Sequence, residues 1–362
     1  MPTPNLASDQ PIVELRHVQR RFVKDRQVIP VIQDVDLSIY RNEILCIVGE
    51  SGCGKTTTGK MVVGLLEQSD GEILVDGRPR DAYRGKEAAE LRRSLQIVHQ
   101  DPFASLNPSQ TIEQILSFPL LRHRMVKDRA QLRRRIWELL TMVDLTPPGD
   151  IVNKFPHQLS GGQRQRVSIA RALTVNPKLI VADEAVSMVD VSIRIGILKM
   201  LHRLRDNLNV AIVFITHDLA LAKYFAWEGR IAVMYLGRIV EIGPTPDVIG
   251  NPAHPYTKAL VAAVPEADPE RTRSKQHMPL RSEEIPKLTQ IPAGCAFHPR
   301  CTFFQPGVCD VELPVLAPAP DGQQLVACTP LTRTGTLTPY EESSVPLTSA
   351  GGLVEQTQNK DA

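Results

Sequence analysis

The sequence predicts an α/β fold built on a mostly parallel sheet, and three observations carry that prediction. An apolar run, Ile44 to Val48, leads into the glycine-rich loop Gly49-Glu50-Ser51-Gly52-Cys53-Gly54-Lys55-Thr56-Thr57 and then into a segment of helical spacing. Short apolar runs recur at 95–98, 179–182 and 210–215, with helical spacing between the last two, which is the alternation of a parallel sheet with covered faces. From 101 to about 174 the spacing turns helical with no strong strand pattern, so a helical subdomain is expected to be inserted there.

Taken in order, residues 12–15 and 35–39 alternate or run apolar like strands. They form an N-terminal β part, read as antiparallel, while 43–48, short and apolar, reads as a buried parallel strand that delivers the glycine loop. The helix from about Lys55 sets Met61, Val62, Leu65 and Leu66 at core spacing, and 71–77 reads as a short strand closed by a glycine turn. The strand 95–98 ends just before Gln100. In the insertion, Leu132, Ile136, Leu139, Leu140 and Val143 share one helix face, and a helix over about 192–207 separates the two later strands. Segments 231–235 and 238–242, joined at Leu236-Gly237, read as a β-hairpin. Beyond Gly243 come Pro244, Pro246, Pro252, Pro255 and Pro265, so the core is expected to end near there. The expected division is a main domain over 11–250 and a cysteine-containing extension over 251–330, whose residues 266–292 are linker-like. A Thr-, Ser-, Gly- and Pro-rich tail over 331–362 reads as disordered.

Composition narrows the function. A formal net charge of +2 over 362 residues gives no reason to expect a nucleic-acid partner, and Arg133-Arg134-Arg135 reads as a solvated helix face. The first ten residues lack an apolar signal core, and no apolar run approaches the roughly 20 residues needed to cross a bilayer. A cytosolic chain is therefore expected, reaching a membrane only through partners. Of its six cysteines, Cys295, Cys301, Cys309 and Cys328 fall in one short stretch. In a reducing compartment that points to an iron-sulfur cluster or structural zinc before disulfides, with unliganded thiols as the alternative.

The chemistry starts at the loop, which satisfies G-x-x-x-x-G-K-[ST] in the strand–loop–helix context of a phosphate cradle. Its backbone N–H groups and the following helix N-terminus attract phosphate oxygens, Lys55 adds charge, and the Thr56 hydroxyl is placed for Mg²⁺. The run 179–184 ends in Asp183-Glu184, at the carboxyl edge of a parallel strand. Alone this could be a solvated strand end. Beside a phosphate loop, Asp183 is suited to the metal shell and Glu184 to polarising an attacking water. Leu159-Ser160-Gly161-Gly162-Gln163 reads as a serine-capped helix start and, equally, as an anion site.

With that last motif the sequence resembles the ATPase subunits of ABC transporters, over roughly 12–330. Gln100 in Val98-His99-Gln100-Asp101-Pro102 matches the family's Q-loop, and His217 in Ile215-Thr216-His217-Asp218 its switch histidine. The resemblance implies a head-to-tail pair of ATPase domains, with each ATP between one P-loop and the other subunit's signature motif. Lys55 and Thr56 would bind phosphate and Mg²⁺, Asp183 would support the metal, Glu184 would activate water, and His217 would contact the γ-phosphate. Gln100 would join the Mg²⁺ site and sense nucleotide and membrane partner, and Ser160, Gly161, Gly162 and Gln163 would complete the partner's site. Phe22 would stack on adenine, or else serve as a core phenylalanine. One departure stands out: Ala185-Val186-Ser187-Met188-Val189-Asp190 replaces the usual Pro-Thr-Ser-Ala-Leu-Asp, keeping Ser187 and Asp190.

His254-Pro255-Tyr256-Thr257-Lys258-Ala259-Leu260 and the cysteine region resemble the ATPases of oligopeptide and dipeptide importers. That implies an ATP-hydrolysing subunit at the cytoplasmic face of the inner membrane, paired with itself or a paralogue. Two transmembrane permease subunits and an extracytoplasmic solute-binding protein would complete the machine. For the four cysteines, the resemblance favours a 4Fe-4S cluster. Two alternatives stay open: the same machinery for another solute, such as an oligosaccharide or nickel, and a soluble ABC ATPase outside transport.

Overall fold

A computed structural model describes residues 10–264 and 278–340. Its strands are β1 (Val13–Lys24), β2 (Gln27–Ile39), β3 (Ile44–Val48), β4 (Asp70–Val75), β5 (Arg78–Pro79) and β6 (Leu95–Val98). They continue with β7 (Leu179–Asp183), β8 (Ala211–Thr216), β9 (Arg230–Tyr235), β10 (Arg238–Pro244), β11 (Ala317–Pro318) and β12 (Leu325–Val326). One sheet has the order β2-β1-β4-β5 and is antiparallel throughout. The other has the order β11-β12-β10-β9-β3-β8-β7-β6, with β9, β3, β8, β7 and β6 all parallel.

β3, β7 and β8 are buried on both faces, which is why they read as unbroken apolar runs. Their register aligns the carboxyl ends that matter: Val48 is level with Thr216, Asp183 with Ile215, and Val98 with Ala182. The glycine loop, Asp183-Glu184, His217 and Gln100 therefore leave one edge of one sheet.

β1 and β2 are much longer than the runs 12–15 and 35–39 expected of them. Their outer halves carry Arg21, Lys24 and Gln27 on exposed faces, and Val23 and Val28 are 75% and 57% exposed, so the ladder that pairs Phe22 with Ile29 buries little of its apolar content. The helix after the loop ends at Val62. Leu65 lies beyond it and is 61% exposed, so of the expected core set only Met61 and Val62 are fully buried, with Leu66 packed partly against them.

The insertion contains the helices Pro102–Ser105, Ile112–Arg122, Arg129–Met142, Gly149–Val152 and Gly161–Leu173. Ile136, Leu139, Leu140 and Val143 are buried with Ile112, Leu116 and Leu120, as their spacing requires. The last helix also packs on β6, tying the insertion to the sheet.

The main sheet does not close near Gly243. Helices Thr245–Gly250 and Pro255–Ala263 follow, and β12 pairs with β10 across the expected boundary at 250. Buried Glu241 accepts the Ala253 and His254 N–H groups at 2.8 and 2.9 Å, fixing the chain where it leaves the sheet. Part of the expected linker, 266–277, lies outside the described residues, whereas Leu280, Leu288 and Ile291 pack against the core. The expected disorder from 331 does not hold at its start. Thr329–Thr334 is a helix with Leu331 buried, while 341–362 lie outside the described residues. Among the described residues no helix is long and apolar enough to cross a membrane.

Candidate active site

Gly49 begins the loop at φ +153°, and a Cβ there would stand 2.2 Å from the Met234 carbonyl oxygen, so β9 leaves room only for glycine. Lys55 is buried with its ammonium donating to the carbonyls of Gly49 and Glu50 at 2.8 and 2.9 Å. The helix Lys55–Val62 has no acidic residue in its first turn and no side-chain cap, leaving its N-terminus open to an anion.

The Thr56 hydroxyl donates to Asp183 Oδ1 at 3.0 Å. Asp183 is 4% exposed, and burial raises its carboxyl above the ordinary range, partly offset by the Thr56 hydrogen bond. A hydroxyl and a buried carboxylate at one point are hard oxygen donors suited to Mg²⁺, whose charge would offset the desolvation.

Glu184 turns out of β7 in the left-handed region, φ 47°, with its N–H donating to the Ile215 carbonyl at 3.0 Å. Ser187 holds that turn from the other side, its N–H and hydroxyl donating to the Glu184 carbonyl at 3.0 and 2.8 Å. Glu184 Oε2 accepts the Gln100 side-chain amide at 2.8 Å, and Oε1 stands 3.2 Å from His217 Nδ1. Ala185 and Val186, the departure from the family pattern, are both 2% exposed and pack in the core, so apolar residues suit those positions.

Together Ser51, Gly52, Gly54, Lys55, Thr56 and Thr57 line a cavity of about 480 Å³ with Val31, Gln100, Glu184 and His217. The expected phosphate, metal and water-activating residues thus converge. Val31, on β2, joins them without any signal in the sequence beyond an apolar position. Of the other expected residues, Gly49, Glu50, Cys53 and Asp183 adjoin this cavity in the chain without lining it, and two further groups lie elsewhere. Ser160 caps the helix Gly161–Leu173 in a reciprocal capping box with Gln163, at 3.2 and 3.0 Å. Gly162 in that helix is needed for packing, since a Cβ would come within 2.6 Å of Ile193 Cγ2. Phe22 stands on the β1–β2 ribbon, partly exposed, with the Arg20 guanidinium 4.7 Å above its ring.

Two contacts to the loop escaped sequence reading. Glu50 N–H donates to the Tyr256 hydroxyl at 2.9 Å, and Arg300 donates to both Glu50 carboxylate oxygens at 3.0 and 3.1 Å. Sequence separations of 206 and 250 residues leave no local pattern to find them by.

A phosphate loop, an Asp-Glu strand end and a Gln/His pair on one sheet edge define a P-loop ATPase cassette. Residues 32–187 match the family described as ABC transporter, and 240–309 the oligopeptide/dipeptide transporter C-terminal region. The chain is 43% identical over 307 residues to the probable peptide ABC transporter ATP-binding protein y4tS of Sinorhizobium fredii, covering 85% of this chain and 84% of that one. It is 39% identical over 284 residues to the oligopeptide transport ATP-binding protein OppF of Bacillus subtilis, covering 78% and 90%. Among solved structures, the dimeric post-hydrolysis state of the ATP-binding cassette MJ0796 bound to ADP and Pi aligns with a TM-score of 0.58 and 30% identity, over 64% of this chain and 98% of that one. This chain belongs to the ATP-binding proteins of ABC transporters, in the oligopeptide/dipeptide group, and is an ATPase.

The expectation of a 4Fe-4S cluster is corrected. Cys295, Cys301, Cys309 and Cys328 do border one cavity, but its volume is about 20 Å³, the space of roughly one water-sized sphere. Among the described residues no three of these sulfurs lie within 4.8 Å of one another, so a preformed tetrahedral zinc site is missing as well. Burial pushes the Cys295 thiol up to about 12 and Cys328 to about 11, and raises Cys301 and Cys309. Neither the matching family descriptions nor the relatives' names carry an iron-sulfur group. The four side chains are packing groups, small and apolar in character.

Proposed function

We propose that this chain is the ATP-hydrolysing subunit of a membrane importer for peptides, with Glu184 as the general base. The observation that carries the chemistry is the Glu184 carboxylate, held between Gln100 and His217 over the phosphate-loop cavity. The loop amides and Lys55 bind the phosphates of ATP. Thr56 and Asp183 are the residues that would hold Mg²⁺, which supplies charge neutralisation on the β- and γ-phosphate oxygens. Glu184 accepts a proton from the attacking water as its oxygen bonds to the γ-phosphorus and the bond to the β-phosphate oxygen breaks, releasing ADP and phosphate. His217 orients the γ-phosphate, and Gln100 reports its presence.

A second cassette, a copy or a paralogue, supplies its Ser160-Gly161-Gly162-Gln163 motif across a head-to-tail interface. In support, none of these four residues lines this chain's own cavity, and Met188 in the neighbouring turn and Val191 at the start of the following helix are apolar yet 58% and 72% exposed. Phe22 is assigned to the adenine. Of two permease subunits, one docks on each cassette near Gln100 and the insertion, where a groove of about 870 Å³ presents Arg92, Arg93, Gln96, Phe118 and Arg122. Closure on ATP and reopening after hydrolysis then drive alternating access. An extracytoplasmic binding protein selects the solute, and the chain is peripheral at the cytoplasmic face of the inner membrane.

The test is affinity purification of the chain from detergent-solubilised membranes, with peptide uptake measured in cells lacking it. Recovery of two multi-spanning subunits and loss of peptide uptake are expected. Recovery from the soluble fraction alone, without permeases, would overturn the transport assignment while leaving the ATPase.

A further inference from the structure

We infer that Arg300, reaching from the C-terminal extension, is a positioning residue for the nucleotide loop, acting through Glu50. The inference rests on the reading of residues 49–57 as the ATP site. Glu50 is the one side chain of the loop's first three residues that is both long and charged, and it does not line the phosphate cavity. Its carboxylate faces the extension instead, where both oxygens accept from one Arg300 nitrogen at 3.0 and 3.1 Å. The Arg300 side chain is 8% exposed, and its guanidinium lies 5.6 Å from the Phe297 ring centre and 5.9 Å from that of Tyr235. Walls of that kind hold a cation in place and strengthen its charge-assisted bonds.

Every polar group of Glu50 is committed. Its N–H goes to the hydroxyl of Tyr256, a residue 1% exposed in the helix Pro255–Ala263, and its carboxylate goes to Arg300. Its carbonyl accepts the Lys55 ammonium at 2.9 Å. A single residue thus joins two anchors from the extension to the lysine that meets phosphate. Tyr256, Tyr235 and Phe297 pack ring against ring, with centroids 4.6 to 5.5 Å apart, so the anchors share one rigid base. Removing Arg300 leaves the Glu50 charge partly buried and unpaired, which drives the carboxylate toward water and carries the loop backbone with it. Loop amides displaced from the phosphate oxygens lose charge-assisted hydrogen bonds, which weakens nucleotide binding more than the chemical step.

The test uses the full chain and Mg-ATP, reading the Kd by calorimetry and KM and kcat by phosphate release. The variants are Arg300→Met, Arg300→Lys, Glu50→Gln and the double variant of Arg300→Met with Glu50→Gln. Arg300→Met is expected to raise Kd and KM about tenfold with kcat within about twofold, and Arg300→Lys to recover part of the loss. The double variant is expected to be no worse than Arg300→Met alone, because the two residues act through one contact. Folded variants whose Kd stays within twofold of the parent, or losses that multiply in the double variant, would overturn the inference. If Arg300→Met does not fold, Glu50→Gln carries the test from the other side of the pair, and an unchanged Kd there overturns it too. A parent chain that fails to bind Mg-ATP, or a Lys55→Ala variant that binds it normally, refutes the site reading itself.

Discussion

The side-chain amide of Gln100 donates to Glu184 at 2.8 Å, joining the carboxyl end of β6 to that of β7 above the phosphate loop. With His217 on the other oxygen, the carboxylate is aimed over the phosphate loop by its own neighbours. Replacing Glu184 by Gln keeps both contacts in shape while removing the proton acceptor. Turnover of Mg-ATP is expected to fall by about 10²–10⁴, with Kd nearly unchanged. Phosphate release at the parental rate would remove Glu184 from the role of base.

Asp183 and Thr56 meet at 3.0 Å, on the side of the loop where the β- and γ-phosphates are expected. Asp183→Asn keeps the volume and the hydrogen bond but removes the charge that attracts a divalent cation. The Mg²⁺ concentration giving half-maximal turnover at fixed ATP is expected to rise by about tenfold or more. A superimposable Mg²⁺ titration would separate Asp183 from the metal.

Ser160 is a helix cap in its own chain, so Ser160→Ala is expected to lower stability by about 0.5–2 kcal/mol in urea unfolding. The second role is separable. In a Glu184→Gln background, ATP-driven dimerisation followed by sedimentation is expected to be lost, while the monomer's Kd for Mg-ATP stays put. Dimers that persist without the Ser160 hydroxyl would confine this residue to capping.

Burial holds the His254 imidazole at about 3, far below its ordinary value. The unfolded chain, at about 6.5, therefore binds the proton more readily than the folded one. Stability is full above pH 6.5 and is lost as pH falls from there toward 3, with about 2 kcal/mol gone at pH 5 from this group. His254→Asn retains an acceptor for the Tyr256 N–H, which His254 Nδ1 now caps at 3.0 Å, but cannot protonate in that range. Urea midpoints at pH 7.5 and pH 5 are expected to differ less in this variant than in the parent. Equal differences would acquit His254.

Legibility in the sequence followed the range of each interaction. Lys55, Thr56, Asp183, Glu184, Gln100 and His217 were all readable because each sits in a short motif at a strand end, and the parallel register does the rest. The outer halves of β1 and β2 escaped because Val28 to Ile32 shows no alternation and pairs with the charged Arg20 and Arg21, so neither strand carries a period-two pattern there. Leu65 was misread because periodicity does not say where a helix stops. Arg300 and Tyr256 lay within segments singled out as family marks, but their partner is Glu50, more than two hundred residues away. The cysteines were grouped correctly around one cavity, and spacing alone could not tell packed thiols from a ligand set.

Because Leu325 and Val326 pair with Ile242 and Glu241, the segment beyond residue 250 also shields the sheet from other molecules. A shortened cassette ending there would display the N–H and C=O groups of β10 beside Ile239, Val240 and Ile242, a bare template for a foreign strand. Trimming this protein to its catalytic portion would thus leave a particle prone to stacking edge to edge.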